Sequence, residues 1–278
     1  MPVIDLDLAG WRIRLDIEAP ALARQAMDRY DAFISADDVS AFFTARVEVA
    51  GRGVDGRTNP EMDLSLDQTS DTDSEYRLDA PGFRAHIELA RGVGKLTLAS
   101  AAPLAGLEHF LRALVALLAF REDGLLIHGA GLRSEDGVHL FIGQSGSGKS
   151  TVVALSPDAV ALNDDLIVLR PQGQDWVACG TPFWNMEAGH REGQTTSGPL
   201  AGIYKLVQDR NVYLERLSPA AATAELVANC PVINGSPAHL AALISRCRQL
   251  ASAVPTRRLH FRKDGSFWQV LERQGADL

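Results

Sequence analysis

Cysteine is scarce in this sequence. Its 278 residues include three cysteines, Cys179, Cys230 and Cys247, which lie far apart and form no CxxC pair. A disulfide framework uses an even set of cysteines, and a structural zinc site uses closely paired ones, so neither is indicated. We therefore expect reduced thiols in a cytoplasmic protein.

The sequence also lacks an excess of basic residues. It has 27 lysines and arginines against 35 aspartates and glutamates, which gives a formal net charge of -8. Such a chain has no basic field to attract nucleic acid or an anionic membrane surface. Neither is expected as a partner.

No export signal or membrane span is expected. Residues 1–7 have neither the positive start nor the apolar middle of a secretory signal. The most apolar stretch, residues 103–120, contains Glu108, His109 and Arg112. A spanning helix needs about 20 mostly apolar residues, so this stretch predicts a buried core helix instead.

The strongest pattern present is a complete GxxxxGK[ST] loop. Val138, Leu140 and Ile142 alternate before it as in a half-buried strand, and an apolar helix-like run follows it. In such a loop, glycines let successive backbone N–H groups turn inward around a phosphate. The predicted nucleotide-binding residues are Gly143, Gln144, Ser145, Gly146, Ser147, Gly148, Lys149, Ser150 and Thr151.

Two adjacent acidic residues follow the next predicted strand, residues 159–162. If this strand runs parallel to residues 138–142, Asp164 and Asp165 lie beside Ser150 and the phosphates. One carboxylate can then hold Mg²⁺ while the other accepts a proton from an attacking hydroxyl. The alternative is a solvated Asn-Asp-Asp turn.

His128 ends the strand that precedes the loop-bearing strand. From there it can reach the same edge of the sheet and hydrogen-bond to an aspartate. The alternative is a histidine with a purely structural role.

Taken in order, these segments resemble HPr kinase/phosphorylase and its kinase relatives, which share a nucleotide core with ATP-dependent phosphoenolpyruvate carboxykinase. The resemblance is carried by Leu126–Ala130, Gly143–Ser150 and Leu162–Asp165, and extends to Thr181–Phe183 and Pro199–Tyr204. It implies an α/β fold with α+β character, in which a P-loop core of the HPr kinase/carboxykinase type carries a smaller N-terminal α+β region.

The resemblance also implies roles for individual residues. Asp164 corresponds to the catalytic carboxylate and His128 to the residue that supports it. Ser150 and Asp165 correspond to the Mg²⁺ partners, and Lys149 to the phosphate clamp. The implied cofactors are ATP and Mg²⁺.

The Gly- and Thr-rich stretch at residues 185–198 is a candidate lid, and three basic residues in or after it are candidates for a transition-state cation. Arg191 lies near its centre and is the leading candidate, ahead of Lys205 and Arg210. Each of the three can equally be a solvated charge.

We expect two regions: an α+β scaffold or docking region over residues 1–120 and a P-loop kinase domain over residues 121–278. The N-terminal region reads as an antiparallel sheet with helices. Residues 51–75, rich in Gly, Asp, Ser and Thr, predict an exposed loop with a short strand at 62–66.

Two strand pairs are predicted near the C-terminus. Residues 200–207 are expected to pair with 212–217, and residues 257–262 with 266–271 through an Asp-Gly turn. Ser218-Pro219 and Ser236-Pro237 predict helix starts.

The leading hypothesis is a kinase that uses ATP and Mg²⁺ to phosphorylate a serine-type hydroxyl of a protein or peptide. The resemblance is closer to HPr-kinase-related proteins, some of which are tied to modification of ribosomally made peptides, so a peptide precursor is a candidate partner. Homo-oligomerisation is also a candidate. Two alternatives remain: a small-molecule kinase on the same core, and a nucleotide-binding switch without transferase activity.

Overall fold

The fold is taken from a computed structural model, which describes residues 1–37, 39–50, 67–72, 74–80, 82–184, 196–231 and 236–275. The chain divides into two compact units. Unit 1 comprises Met1–Leu118 and Pro231–Gly235, and unit 2 comprises Ala119–Cys230 and Ser236–Leu278.

Unit 1 is built on a mixed sheet that has seven strands within the described residues. The order is β1-β2-β3-β7-β6-β5-β4, with β2, β3 and β7 mutually parallel and the other neighbours antiparallel. The strands are β1 (Val3–Leu8), β2 (Trp11–Ile17), β3 (Phe43–Ala50), β4 (Asp67–Thr72), β5 (Glu75–Ala80), β6 (Phe83–Glu88) and β7 (Val93–Ala99). The parallel pairs correct the expectation of an antiparallel sheet.

Two helices accompany this sheet, α1 (Pro20–Arg29) and α2 (Pro103–Arg121). α2 is long and apolar enough to cross a membrane, but most of it is buried inside the protein, as in the core helix of a soluble protein. Its buried Glu108 pairs with Arg112 at 2.9 Å and with Arg29 at 3.1 Å. The pairing offsets the cost of taking these charges out of water.

Unit 2 contains a second mixed sheet, with eight strands among the described residues. β9 runs parallel to β13, and β13 runs parallel to β15, whereas the other pairs are antiparallel. The strands are β8 (Leu125–Ser134), β9 (Gly137–Ile142), β10 (Val160–Asn163), β11 (Leu166–Gln172), β12 (Asp175–Cys179), β13 (Ser197–Gln208), β14 (Tyr213–Arg216) and β15 (Thr256–Phe261).

β10 and β11 lie end to end along β8, with one register shift between Ala161 and Asn163. Asn163 lies opposite Gly131, and Leu166 lies opposite His128. Both intervals are three positions long, so the register against β8 is kept from Asn163 to Leu166. Between them, the N–H of Gly129 donates to the carbonyl of Asp165 at 2.9 Å. The Asp-Asp pair is therefore a bend between two strands that share one neighbour, and with Asp164 buried it is not a solvated turn.

Helices cover both faces of the second sheet. One apolar cluster joins Ile142 to Leu226 and Leu243 of α4 (Pro219–Ala228) and α5 (Pro237–Ala253). The other joins Phe141 to α3 (Lys149–Ala154) and α6 (Phe267–Gly275). Successive residues of β9 thus serve opposite faces, as the strand alternation requires.

The predicted starts of α4 and α5 are confirmed. Ser218 Oγ accepts a hydrogen bond from the N–H of Ala221, and Ser236 Oγ accepts one from that of His239. Each serine side chain satisfies a backbone donor that the first helical turn leaves open.

The predicted C-terminal hairpin is wrong, because α6 stands where its second strand was expected. Phe267 and Leu271 are both buried in the cluster with Phe261. Their i, i+4 spacing suits one face of a helix, which outweighs the Asp-Gly turn signal. Asp264 accepts from the N–H of Ser266 at 3.0 Å and bends the chain into the helix.

Two further expectations change. Residues 200–207 lie within β13 and residues 212–217 contain β14, but both strands pair with β15, which lies between them. The expected loop at 51–75 contains strand β4, whereas the short strand expected at 62–66 lies outside the described residues.

Candidate functional site

The loop that follows β9 has the backbone shape that its glycines allow. Gly146 has φ of 76° and Gly148 has φ of 111°, in the range that L side chains rarely adopt. α3 begins at the next residue, Lys149, and packs against β8. The segment from Gly143 to Gly148 is therefore a tight link between a buried strand and a short helix.

Two residues from other strands hold this loop. Gln208, the last residue of β13, donates from Nε2 to the carbonyl of Gly146 at 2.9 Å. Phe261, at the end of β15, packs so closely that a Cβ placed on Gly148 would lie 2.6 Å from its Cζ. The loop is thus supported by the two strands on one flank of β9.

Lys149 folds back onto its own loop. Its Nζ donates to the carbonyls of Gly143 at 2.7 Å and Gln144 at 3.4 Å. Burial lowers the pKa of Lys149, while the nearby carboxylates of Asp165 and Asp164 act in the opposite direction. The ammonium group therefore lies where the loop meets the acidic pair.

The acidic pair is positioned by the buried Asn163. Its Oδ1 accepts from the N–H groups of Asp165 at 2.7 Å and Leu166 at 2.9 Å, and its Nδ2 donates to the carbonyl of Thr181 at 2.8 Å. The hydroxyl of Thr181 in turn donates to the carbonyl of Leu166 at 2.6 Å. These bonds satisfy the backbone groups that the break between β10 and β11 leaves open.

The loop and the acidic pair meet at Ser150. Its Oγ lies 3.5 Å from Oδ2 of Asp164, whose side chain is buried while Ser150 itself is exposed. The contact involves Asp164, and not the Asp165 that sequence reasoning paired with Ser150.

This donor set suits magnesium. Among the described residues, no three His, Cys, Asp or Glu side chains cluster in the manner of an all-protein metal site. Mg²⁺ in nucleotide sites is bound through one or two carboxylates plus phosphates and water, so a hydroxyl beside two aspartates fits it.

His128 lies beside the acidic pair along β8. Its backbone N–H donates to the carbonyl of Asn229 at 2.7 Å, and its neighbour Gly129 binds the carbonyl of Asp165. Ala130, two residues further on the same strand, belongs to the apolar cluster under α3. By alternation, the His128 side chain is on the α3 side of the sheet, as Ser150 is.

The structure thus brings Ser150, Asp164, Asp165 and Lys149 together, with His128 one residue along the ladder from Asp165. In the loop, Gln144 and Ser145 are exposed, and Ser147 and Thr151 are half-buried. Arg191 and most of the predicted lid lie outside the described residues, so the structure says nothing about them.

Sequence reasoning missed the supports of the site. Gln208 and Phe261 are distant in sequence and carry no motif, so no local signal marks them. Asn163 had a signal, because an asparagine before a break in a strand commonly bonds the backbone two residues on. Thr181 had none beyond its place in a segment that resembles kinase relatives.

Comparison with known proteins finds a distant likeness among solved structures, and none among family models or curated sequences. No family model matches the chain, and no curated protein sequence matches it. Among solved structures, the Hpr(Ser) kinase/phosphatase from Coxiella burnetii aligns with 9% identity and a TM-score of 0.31. The alignment covers 55% of this chain and 97% of that chain.

Proposed function

We propose that this protein is a kinase that uses ATP and Mg²⁺ to transfer the γ-phosphoryl group to a serine-type hydroxyl of a protein or peptide. The observation that carries the proposal is the contact between the loop and the acidic pair, where Ser150 Oγ lies 3.5 Å from Asp164 Oδ2. A phosphate loop alone serves many nucleotide-binding proteins. A buried carboxylate against its serine adds the group that phosphoryl transfer requires.

The loop supplies the phosphate site. Its backbone N–H groups would bind phosphate oxygens, and Lys149 would exchange its bonds to the carbonyls of Gly143 and Gln144 for bonds to the terminal phosphates. By the sequence resemblance, Ser150 and Asp165 would hold the magnesium ion, which would supply positive charge to the phosphate oxygens when bound.

Asp164 accepts the proton of the attacking hydroxyl. A bond forms between the acceptor oxygen and the γ-phosphorus as the bond from that phosphorus to the β–γ bridging oxygen breaks, and ADP leaves. Positioning and charge neutralisation account for most of the rate in such reactions, and general-base assistance contributes roughly 10²- to 10⁴-fold. We assign His128 to the support of Asp164, and Arg191 to the transition-state charge.

The acceptor is proposed from the sequence resemblance, which implies a serine-type hydroxyl on a protein or on a ribosomally made peptide precursor. Substrate choice depends on surfaces that surround the site, and loops carry most such contacts. The acceptor is therefore the first unknown that an experiment must address.

The test compares single amide substitutions of the two aspartates. Asp164→Asn and Asp165→Asn are assayed beside the wild type and Asp158→Asn, which alters an exposed aspartate outside the site. Labelled ATP, Mg²⁺ and candidate serine peptides are incubated with each protein, and phosphopeptides are identified by mass spectrometry. ATP affinity is measured in parallel at several Mg²⁺ concentrations.

We expect Asp164→Asn to bind Mg²⁺ and ATP normally while losing about 10²-fold or more in transfer. Asp165→Asn should need more Mg²⁺ for the same ATP affinity, and Asp158→Asn should behave as the wild type. If Asp164→Asn instead raises the Mg²⁺ requirement, the roles of the two aspartates are exchanged. Unchanged transfer in both variants contradicts the proposal, and tight ATP binding without transfer favours a small-molecule kinase or a switch.

A further inference from the structure

An aromatic pair with one open surface lies on β14 and β15. The rings of Tyr213 and His260 are stacked, with centroids 4.1 Å apart and planes only 10° from parallel. Tyr213 is 43% exposed, although His260 covers one face of its ring. A flat aromatic surface is therefore presented to solvent on a rigid support.

His260 is fixed from both sides. Its Nδ1 lies 3.1 Å from Oδ2 of Asp209, and its Nε2 lies 3.2 Å from Oε2 of Glu215. The carboxylate of Glu215 also pairs with Arg258 at 3.0 Å. With both ring nitrogens engaged, the imidazole has little freedom to rotate, and the tyrosine ring stacked on it keeps its orientation.

The pair is close to the phosphate loop through a short chain of contacts. Gln208 binds the carbonyl of Gly146 in the loop, and the next residue, Asp209, binds His260. The N–H of Asp209 also donates to the carbonyl of Phe261, the residue that packs on Gly148. The residues that hold the loop are thus sequence neighbours of Asp209 and His260, with His260 and Phe261 on opposite faces of β15.

The two flanks of the loop differ in chemistry. β9 has β8 on one side, and Asp164 and Asp165 lie against that strand. On its other side come β13 and then β15, which carries His260. With Mg²⁺ held by Ser150 and the acidic pair, a bound triphosphate would turn its γ-phosphate end towards Ser150 and Asp164. Its nucleoside end then points to the opposite flank.

We infer that Tyr213, supported by His260, is the surface on which the base of the bound nucleoside triphosphate stacks. The inference rests on the proposed function, since the loop must hold the phosphates for the base to reach this flank. Every nucleobase has a π-face that can stack on an aromatic ring, and a purine covers more of the ring than a pyrimidine. The site therefore takes a purine nucleoside triphosphate.

The test separates the base from the phosphates. Dissociation constants are measured by calorimetry for ATP, UTP and inorganic tripolyphosphate, each with Mg²⁺. The proteins are the wild type, Tyr213→Ala, Tyr213→Phe and Phe42→Ala, the last removing an exposed aromatic ring from unit 1.

Tyr213→Ala should weaken ATP binding by roughly 5- to 100-fold and leave tripolyphosphate binding unchanged. Tyr213→Phe and Phe42→Ala should bind ATP as the wild type does, and the wild type should bind ATP more tightly than UTP. Equal losses for ATP and tripolyphosphate, or no loss for either, would overturn the stacking site while leaving the phosphate site in place. A wild type that binds neither compound would overturn the proposed function and the stacking site together.

Discussion

The shape of the loop between β9 and α3 can be tested with two glycines that differ in one respect. Gly146 and Gly148 both have positive φ, but a Cβ on Gly146 meets no atom within 4 Å, whereas one on Gly148 would lie 2.6 Å from Cζ of Phe261. Carbon atoms in contact normally lie about 3.5–4.0 Å apart. Gly146→Ala therefore adds backbone strain alone, and Gly148→Ala adds strain and a collision.

The expected magnitudes follow from these two contributions. An alanine in the left-handed region costs about 1–2 kcal/mol, which is the expected total for Gly146→Ala. At φ of 111° the strain is about 1–3 kcal/mol, and overpacking against Phe261 adds about 1–3 kcal/mol. Gly148→Ala should therefore cost about 2–6 kcal/mol in all.

Two measurements are needed because the free-energy cost of each substitution can lower either the stability of the protein or its affinity for ATP. If the loop keeps its shape, the free energy of unfolding falls; if it relaxes, ATP affinity falls instead. Denaturant unfolding and calorimetric ATP binding are therefore measured on each variant, and the two losses are added. A factor of ten in the dissociation constant corresponds to about 1.4 kcal/mol.

A third substitution isolates the collision. Phe261→Leu removes the atom that the new Cβ would meet, so in the Gly148→Ala background it should restore about 1–3 kcal/mol. The same change in the wild type and in Gly146→Ala should only destabilise, because it leaves a gap in the core. If Gly148→Ala costs no more than Gly146→Ala, or if Phe261→Leu restores nothing, the packing of Phe261 on the loop is refuted.

Three other predictions concern Lys149, the support of the loop, and a buried histidine of β9. Burial lowers the pKa of Lys149 and bound phosphates raise it, so ATP binding takes up a proton at alkaline pH. Calorimetry should show the affinity for ATP falling as pH rises through the lowered pKa of Lys149. Lys149→Arg should show no such fall, because its guanidinium stays protonated. Gln208→Ala removes the hydrogen bond to the Gly146 carbonyl and should weaken ATP binding by about 0.5–1 kcal/mol, with Asn211→Ala as a neutral control. Burial holds the pKa of His139 below 6.5, so the unfolded chain binds more protons between the two values. Urea unfolding should therefore show a contribution of His139 to the free energy of unfolding that is present above pH 6.5 and is lost as pH falls through the pKa of His139 in the folded protein. His139→Gln should lack this loss.

The sequence predicted the parts of the fold that have local signals. The alternation in β9, the glycines of the loop and the serine caps of α4 and α5 each depend on neighbours within a few residues. Sequence could not predict that β15 lies between β13 and β14, because strand order depends on contacts far apart in the chain. The α6 helix was missed because a turn signal preceded a segment whose two buried residues also fit a strand.

The candidate site was likewise predictable only where its residues form local sequence motifs. The loop and the two aspartates are contiguous motifs, and the prediction that they lie near one another needed only the direction of two strands. The residues that hold them, Gln208, Phe261 and Thr181, reach the site through tertiary contacts and leave no mark in the local sequence. Tyr213 and His260, 47 positions apart by their numbers, likewise meet only because β14 and β15 pair in register.

The continuity of β10 and β11 limits how this segment can change in length. Leu166–Leu169 are buried on both faces of the strand, and their register against β8 runs unbroken through the two aspartates. Inserting or deleting one residue between Asn163 and Leu166 would exchange the faces of all four side chains. Exposed loops tolerate such changes because their length is independent of the core. Here the spacing of the acidic pair is tied to the packing of the hydrophobic interior, so a change of length would need a compensating bulge such as the register shift between Ala161 and Asn163.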